Sequence, residues 1–308
     1  MSQISIKTRN SKLGLALDLN SFFNLMKPRV MSLVLFTCMV GLIIAPNSVS
    51  YLNSVLSLIA VALGAGAAGT LNMWYESDLD ALMTRTCLRP IPTGQVTKNQ
   101  ALFFGVFLSI GSISLLYFSS NLMSAFLLFL TICFYFFIYT VWLKRRTPQN
   151  IVIGGAAGAL PPVIGWTIAT GSLSMEPLIL FLIIFLWTPS HFWALSIYKS
   201  NDYKKAKIPM LPIIYGIDKT KKNIFIYSLL MLPTISAPYF ISFLSEIYFF
   251  PALALTIYYI YLCRTLLKIK KSKEINLLAR KIFLYSIFYL FSIFLLVLSD
   301  HFLTRLYG

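Results

Sequence analysis

The chain has 308 residues, 58% of them hydrophobic and only 12% charged, with a mean hydropathy of +0.77. Soluble domains sit near 45–50% apolar and about 25% charged, so a soluble globular protein is excluded, as is disorder, which needs low hydrophobicity. The net charge of +16 does not indicate a nucleic-acid binder, because too little polar sequence is left to build a soluble basic face. The composition is that of a polytopic membrane protein with its bases in the loops.

The opening stretch, Met1 to Asn20, is polar and lacks a signal peptide's short apolar core, so the first apolar run is expected to stay in the protein. A bilayer core of about 30 Å takes roughly 20 apolar residues per helix. Nine runs meet that need, starting near Val30, Leu52, Ala101, Leu122, Ile151, Pro177, Asn223, Tyr248 and Ile282; the last ends near Leu303. The second continues to Trp74, and its Gly64, Gly66 and Gly69 permit a neighbouring helix to approach closely. Connections around Pro46–Ser50, Ser119–Asn121, Gly171–Glu176 and Ser245–Glu246 are very short. The rest are longer and basic. Cys38, Cys87, Cys133 and Cys263 show no paired spacing that suggests disulfides or zinc. The expected fold is an all-α polytopic membrane protein with nine transmembrane helices, organised as a polar N-terminal segment, 1–24, and one membrane domain, 25–308.

If nine helices span, 25 of the 26 bases fall on one side and only Arg305 on the other. Short Lys/Arg-rich loops stay cytoplasmic, which places the N-terminus inside and the C-terminus outside. Most of these bases are accounted for by that topological rule alone.

The stretch from Asn72 to Pro90, at the end of the second run, holds Asn72, Glu76 and Asp80 at i, i+4 and i+8, one face of a helix. Asp78 points away from that face and joins it only if the helix unwinds. Three acids without an intervening base repel one another unless a cation joins them. A hard divalent cation with oxygen ligands suits them, and Mg²⁺ commonly shares such carboxylates with substrate phosphates. Arg85 and Arg89, one turn apart, can hold a diphosphate through bidentate contacts. The other reading of this block is a solvated loop whose acids and arginines pair among themselves.

A second polar block follows the sixth run, read as a loop from Trp187 to Met210. It contains His191, Lys199, Asp202 and Lys205. The sixth run lies four spans beyond the second, so both exit the same face. Asp202 can therefore approach the first block across a shared cavity, or simply pair with Lys199 or Lys205.

Five separated blocks carry a resemblance. They are Met26-Lys-Pro28-Arg29, Asn72 to Pro90, Tyr139 to Pro162 with Gly165-Trp166, Thr188 to Leu195, and Asn201-Asp202-Tyr203 with Pro209-Met210. Over about residues 20 to 305 the chain resembles the UbiA-type intramembrane prenyltransferases, and within them the members that farnesylate heme. The resemblance implies a bundle around a central cavity open toward lipid, with a diphosphate held by Mg²⁺ at the cytoplasmic side of the cell inner membrane. It implies farnesyl diphosphate and heme B as substrates, heme O as product, and a heme-O-using oxidase or heme A synthase as possible partners.

Mapped onto this chain, Asn72, Glu76 and Asp80 match the first metal–diphosphate motif, with Asp78 an additional acid, and Asp202 matches the second. Arg85, Arg89, Lys144, Arg145 and Lys199 are the candidate diphosphate cations, Lys144 matching a family block. Two departures stand out. Glu76 replaces the usual Asp, and Ala206 occupies the place of a second acid, leaving Asp202 alone at that end. His191, one of two histidines, is either a heme ligand or propionate contact or a hydrogen-bonded helix-end residue. His301 reads as interfacial.

Two other classes compete. A secondary transporter should place its charges at broken helices mid-membrane, and Gly154-Gly155 with Pro161-Pro162 offers one such break. A non-catalytic assembly factor would need no acid cluster at all.

Overall fold

The computed structural model describes residues 19–307, and every regular element in it is helical. Residues 1–18, with Lys7, Arg9 and Lys12, lie outside the described residues. The helices are α1 (Leu19–Leu25), α2 (Pro28–Ile43), α3 (Tyr51–Tyr75), α4 (Ser77–Leu82), α5 (Lys98–Ser119), α6 (Leu122–Cys133), α7 (Asn150–Ala159) and α8 (Pro161–Thr170). They continue with α9 (Met175–Tyr198), α10 (Ser200–Lys205), α11 (Leu211–Ile214), α12 (Gly216–Phe240), α13 (Glu246–Lys268) and α14 (Ser272–Tyr307). A π-helical stretch, Phe134–Leu143, prolongs α6.

Among the described residues, eight segments are long and apolar enough to cross a membrane: α3, α5, α6 with its π continuation, α7 with α8, α9, α12, α13 and α14. The first expected run is α2, only 16 residues long. It reaches span length only together with α1, across a bend of 61°. The bend sits at Lys27, whose φ of 56° is left-handed, and Pro28 starts α2 at a position where its missing N–H costs nothing. Helix α1 crosses the expected 24/25 boundary. Its Ser21 hydroxyl donates to Gln95 Oε1 at 3.0 Å, and Leu25 is buried with Met73, Ile91 and Val96.

Four helices extend beyond the apolar runs. Helix α9 continues through Pro189 to Tyr198, so Trp187–Tyr198 is helix and not the expected loop. Proline is tolerated inside a membrane helix when neighbouring groups satisfy the freed backbone. On either side of Pro189 the hydroxyls of Thr188 and Ser190 turn back onto their own helix, donating to the carbonyls of Ile184 and Trp187. Lys219, Lys221 and Lys222 lie on the first turns of α12, and Arg264, Lys268, Arg280 and Lys281 on α13 and α14. At 1.5 Å per residue the 36 residues of α14 extend ~54 Å, well beyond the ~30 Å bilayer core.

Burial separates an inner set of helices from a peripheral one. The most apolar windows of α7–α8 and α9 are 67% buried, those of α5 and α6 only 28%. Phe103, Phe107 and Phe118 on α5 are accordingly exposed to the surroundings of the bundle. Helices α2 and α8 touch backbone to backbone: a Cβ on Gly165 would overlap the Cys38 carbonyl, and one on Gly41 the Pro162 carbonyl. On α3, Gly64 packs against Leu128 and Gly66 against Met26, the close approach expected of that glycine run.

Between α2, α3, α6 and α7–α8 lies an apolar cleft of about 730 Å³, counted with its open mouth. Its walls include Val34, Val61, Gly64, Leu128, Ile132 and Ile164, and Lys27 also lines it. Lys27 Cδ would lie 3.5 Å from a Cβ on Gly69, so the lysine stands at the end of the cleft nearest the C-terminus of α3.

Candidate active site

The polar pole of the bundle is assembled from four segment ends. Helix α3 stops at Tyr75, and Glu76 links it to α4 without losing the i→i−4 pattern: Glu76 N–H donates to Asn72 O at 3.0 Å and Asp80 N–H to Glu76 O at 2.8 Å. This keeps Asn72, Glu76 and Asp80 together, each at most 2% exposed. The Asn72 amide donates to Glu76 Oε2 at 2.9 Å and to Thr140 Oγ1 at 3.1 Å. Lys144 Nζ donates to Glu76 Oε2 at 2.5 Å. The Asn72–Thr140 and Glu76–Lys144 contacts share a sequence offset of 68, so α3 and the π stretch run in the same direction there and leave the bundle on the same face. π turns recur at functional sites; here one sets Thr140 and Lys144 against the acids.

The expected repulsion between the acids is absent because each carries its own cation. Glu76 pairs with Lys144, Asp80 with Arg89 and Asp78 with Arg145. Arg89 Nη1 lies 2.8 Å from both Asp80 oxygens. This pairing belongs to the second reading of the block, but two of the three pairs are buried where that reading expected solvent. Asp78 does not join the buried group. It lies at the surface, where Arg145 holds it bidentately at 2.8 and 3.0 Å. Partial burial pushes its pKa up, but the Arg145 hydrogen bonds and charge and the Leu79 N–H outweigh this and hold it below the usual carboxylate range.

Lys27 was given no role from sequence, although its block was singled out. Its Nζ donates to Asn72 Oδ1 at 2.6 Å, which makes it the bridge between the apolar cleft and the acids. Thr140 and Thr84 were also missed, since a threonine carries no chemical signature by itself.

Asp202, on α10, is buried and reaches this pole. It accepts from the hydroxyl of Thr84, four residues after Asp80, at 2.7 Å. Ala206, four residues on, packs in an apolar cluster with Leu79, Met83 and Tyr203. Arg85 lies over the Tyr203 ring at 5.1 Å and Lys199 over Tyr198 at 5.4 Å. Neither forms an ion pair with an acid among the described residues.

Glu76 Oε1, Ser77 Oγ and Asn150 Oδ1 are buried without hydrogen-bond partners among the described residues, and such atoms have capacity left for a water or an ion. The donor set is all oxygen, which suits Mg²⁺ chemically. Among the described residues no three His, Cys, Asp or Glu side chains converge on one ion position. A cation would therefore take part of its shell from a bound phosphate, as Mg²⁺ usually does.

His191 stands apart from the acids, within α9. It is 7% exposed, lies between Trp187 and Phe283 with ring centroids 4.3 and 4.7 Å away, and its Nδ1 is 2.6 Å from Ser286 Oγ. It is hydrogen-bonded, but not at a helix end.

The bundle and its charged pole define an all-helical, multi-pass membrane protein with a cleft leading into a buried ionic site. The UbiA prenyltransferase family matches residues 34–287. Protoheme IX farnesyltransferase of Pelagibacter ubique (strain HTCC1062) is 61% identical over 300 residues, covering 97% of this chain and 99% of that one. Protoheme IX farnesyltransferase 2 of Mesorhizobium japonicum is 49% identical over 284 residues, covering 92% and 90%. Among solved structures, one concerning digeranylgeranylglyceryl phosphate synthase superposes with a TM-score of 0.76 at 20% identity, covering 92% of this chain and 98% of that one. A UbiA homolog from Archaeoglobus fulgidus bound to GPP and Mg²⁺ gives 0.66 at 15%, covering 91% and 99%. The chain belongs to the UbiA prenyltransferase family. It is a membrane-embedded transferase.

Proposed function

We propose that this transferase joins the farnesyl group of farnesyl diphosphate to a vinyl group of heme B, with addition of water, giving heme O and diphosphate. The observation that carries the acceptor is the 61% identity along nearly the whole chain to a protoheme IX farnesyltransferase. What supports prenyl transfer locally is the buried Glu76–Lys144 and Asp80–Arg89 pole at the head of an apolar cleft.

The two ends of the donor differ as the two parts of the site do: an isoprenoid chain for the cleft, a polyanion for the pole. Asn72, Glu76, Asp80 and Asp202 would hold Mg²⁺ together with the diphosphate, and the ion supplies positive charge to the leaving group. Lys27, Arg85, Arg89, Lys144, Arg145 and Lys199 add fixed positive charge around the oxygens on which negative charge grows. As the allylic C–O bond breaks, its electron pair leaves with diphosphate. The vinyl π bond then attacks the farnesyl cation to form the carbon–carbon bond. Water adds to the resulting cation, its hydroxyl staying on the product and its proton going to diphosphate. The apolar cleft walls keep water from the first cation. No side chain acts as a covalent nucleophile.

The one-sided distribution of bases supports placing this pole on the cytoplasmic side of the cell inner membrane. The product would then pass to a heme-O-using oxidase or to heme A synthase.

The test is incubation of the purified protein with Mg²⁺, farnesyl diphosphate and heme B, with mass spectrometry of the porphyrin. A mass gain equal to farnesyl plus hydroxyl is expected. Prenylation of a quinone precursor or chlorophyllide in place of heme B contradicts the acceptor assignment.

A further inference from the structure

The walls of the apolar cleft run away from the charged pole. Helix α3 ends at the pole, so its wall runs back from Gly69 to Val61, and α6 with the π stretch, parallel to it, runs back from Tyr135 to Leu128. The other walls start at the pole side: α2 runs from Lys27 to Val34, and α7 with α8 from Ala157 to Ile164. The residues farthest from the pole meet. Val61, Leu128 and Ile164 are at most 2% exposed and belong to one packed cluster, with Val34 against it. The cleft is therefore closed at the end opposite the ionic site. Its open side lies nearer the pole, where Val30, in the first turn of α2, is 62% exposed.

A closed end makes the cleft a measure of length. Counted along α3 at ~1.5 Å per residue, Val61 lies ~12 Å from Gly69 and ~16 Å from Asn72, which the Lys27 ammonium contacts. An extended carbon chain gains ~1.25 Å per bond when its bonds are ~1.5 Å long, which gives ~9 Å for geranyl, ~14 Å for farnesyl and ~19 Å for geranylgeranyl. With its diphosphate at the pole, a farnesyl chain just reaches the closed end. A geranyl chain stops short of it, and a geranylgeranyl chain overruns it.

The position of Leu128 depends in turn on Gly64. A Cβ on Gly64 would come within 2.7 Å of Leu128 Cδ1, and both residues line the cleft. The missing side chain lets Leu128 rest against α3. A larger residue there would push the leucine into the open space of the cleft.

We propose that Val61, Leu128 and Ile164 form a stop that selects a donor chain of farnesyl length, and that Gly64 sets the position of the stop through Leu128. The inference rests on the prenyl-transfer reading given above. It adds the residues that choose among prenyl diphosphates.

The experiment measures binding of unreactive geranyl, farnesyl and geranylgeranyl thiolo-diphosphates to the purified protein with Mg²⁺ and no acceptor. Wild type should bind the farnesyl compound most tightly and the geranylgeranyl compound about 10- to 200-fold more weakly, the range over which an apolar pocket discriminates by size. Leu128→Ala should remove most of that gap and leave geranyl affinity unchanged, which also shows that the variant is folded. Leu128→Val, a smaller cut, should remove part of it. Gly64→Ala should act in the opposite sense, weakening the farnesyl compound and leaving geranyl the best ligand. Equal affinity of wild type for all three chains, or an order left unchanged by both Leu128→Val and Gly64→Ala, would overturn the proposal. Failure of the prenyl-transfer reading looks different: wild type then binds none of the three chains.

Discussion

Thr84 and Asp202, 118 residues apart in sequence, meet through the Thr84 hydroxyl, which lies 2.7 and 2.9 Å from the two carboxylate oxygens. The contact brings the segment after α4 onto α10. It leaves Asp202 tied to the acid block and not paired with Lys199 or Lys205. Replacing Thr84 with the near-isosteric Val removes the donor and leaves a buried carboxylate short of a partner, a loss of about 1–3 kcal/mol. Thermal unfolding in detergent should show that loss, together with a lowered kcat.

The Glu76–Lys144 pair makes a second prediction. Breaking a buried ion pair on one side costs about 3 kcal/mol or more, because a charge is left buried and unpaired, whereas removing both charges costs much less. Lys144→Met should therefore be less stable than the double variant Glu76→Gln/Lys144→Met. Both should be inactive. Equal stabilities would mean that the pair is open to water.

Lys27 bridges cleft and acids through its 2.6 Å contact to Asn72. If its ammonium also meets the leaving diphosphate, Lys27→Met should lower kcat about 10²–10³-fold, as removal of one electrostatic donor does elsewhere. Lys27→Arg should recover part of it. Steady-state kinetics with varied farnesyl diphosphate measure this, and a change confined to KM would restrict Lys27 to substrate binding.

The exposed Asp78–Arg145 pair sets a pH dependence. Asp78 has a folded-state pKa below its unfolded value, so the stability it contributes is complete above the unfolded value, about 4, and is lost as pH falls through the folded one. Solvent screening keeps the contribution within about 1 kcal/mol. Wild type should be slightly more stable than Asp78→Asn at pH 7, and the difference should vanish on acidification. Parallel unfolding midpoints across pH 3–7 would contradict this.

Much of this arrangement was legible in the sequence, for identifiable reasons. Apolar runs of membrane length mark helices by composition, and a fixed i, i+4, i+8 spacing forces Asn72, Glu76 and Asp80 onto one face. Parity of spans brought Asp202 to the same pole. What could not be read is what depends on cross-chain partners. The pairing of each acid with its own base needs α3, the π stretch and the α4–α5 connection side by side. Composition alone placed Trp187–Tyr198 in a loop, since Pro189, His191 and Ser190 look like helix breakers or polar ends. In the structure the helix runs through them, with the Thr188 and Ser190 hydroxyls turned back onto its own carbonyls. Lys27 was hidden because a lysine before proline at the start of an apolar run looks like topology, and its contact with Asn72, 45 residues on, appears only once α3 lies beside it.

The most direct test is a four-member cycle of wild type, Asp80→Asn, Asp202→Asn and the double variant, assayed for heme B farnesylation at saturating Mg²⁺. The account makes the two acids opposite walls of one diphosphate site. Each single change should then cost on the order of 3 kcal/mol of transition-state stabilisation, and the double variant should be little worse than either, because groups acting as a unit are not additive. Fully additive losses, or an Asp202→Asn variant with normal turnover, would contradict a single site spanning α4 and α10.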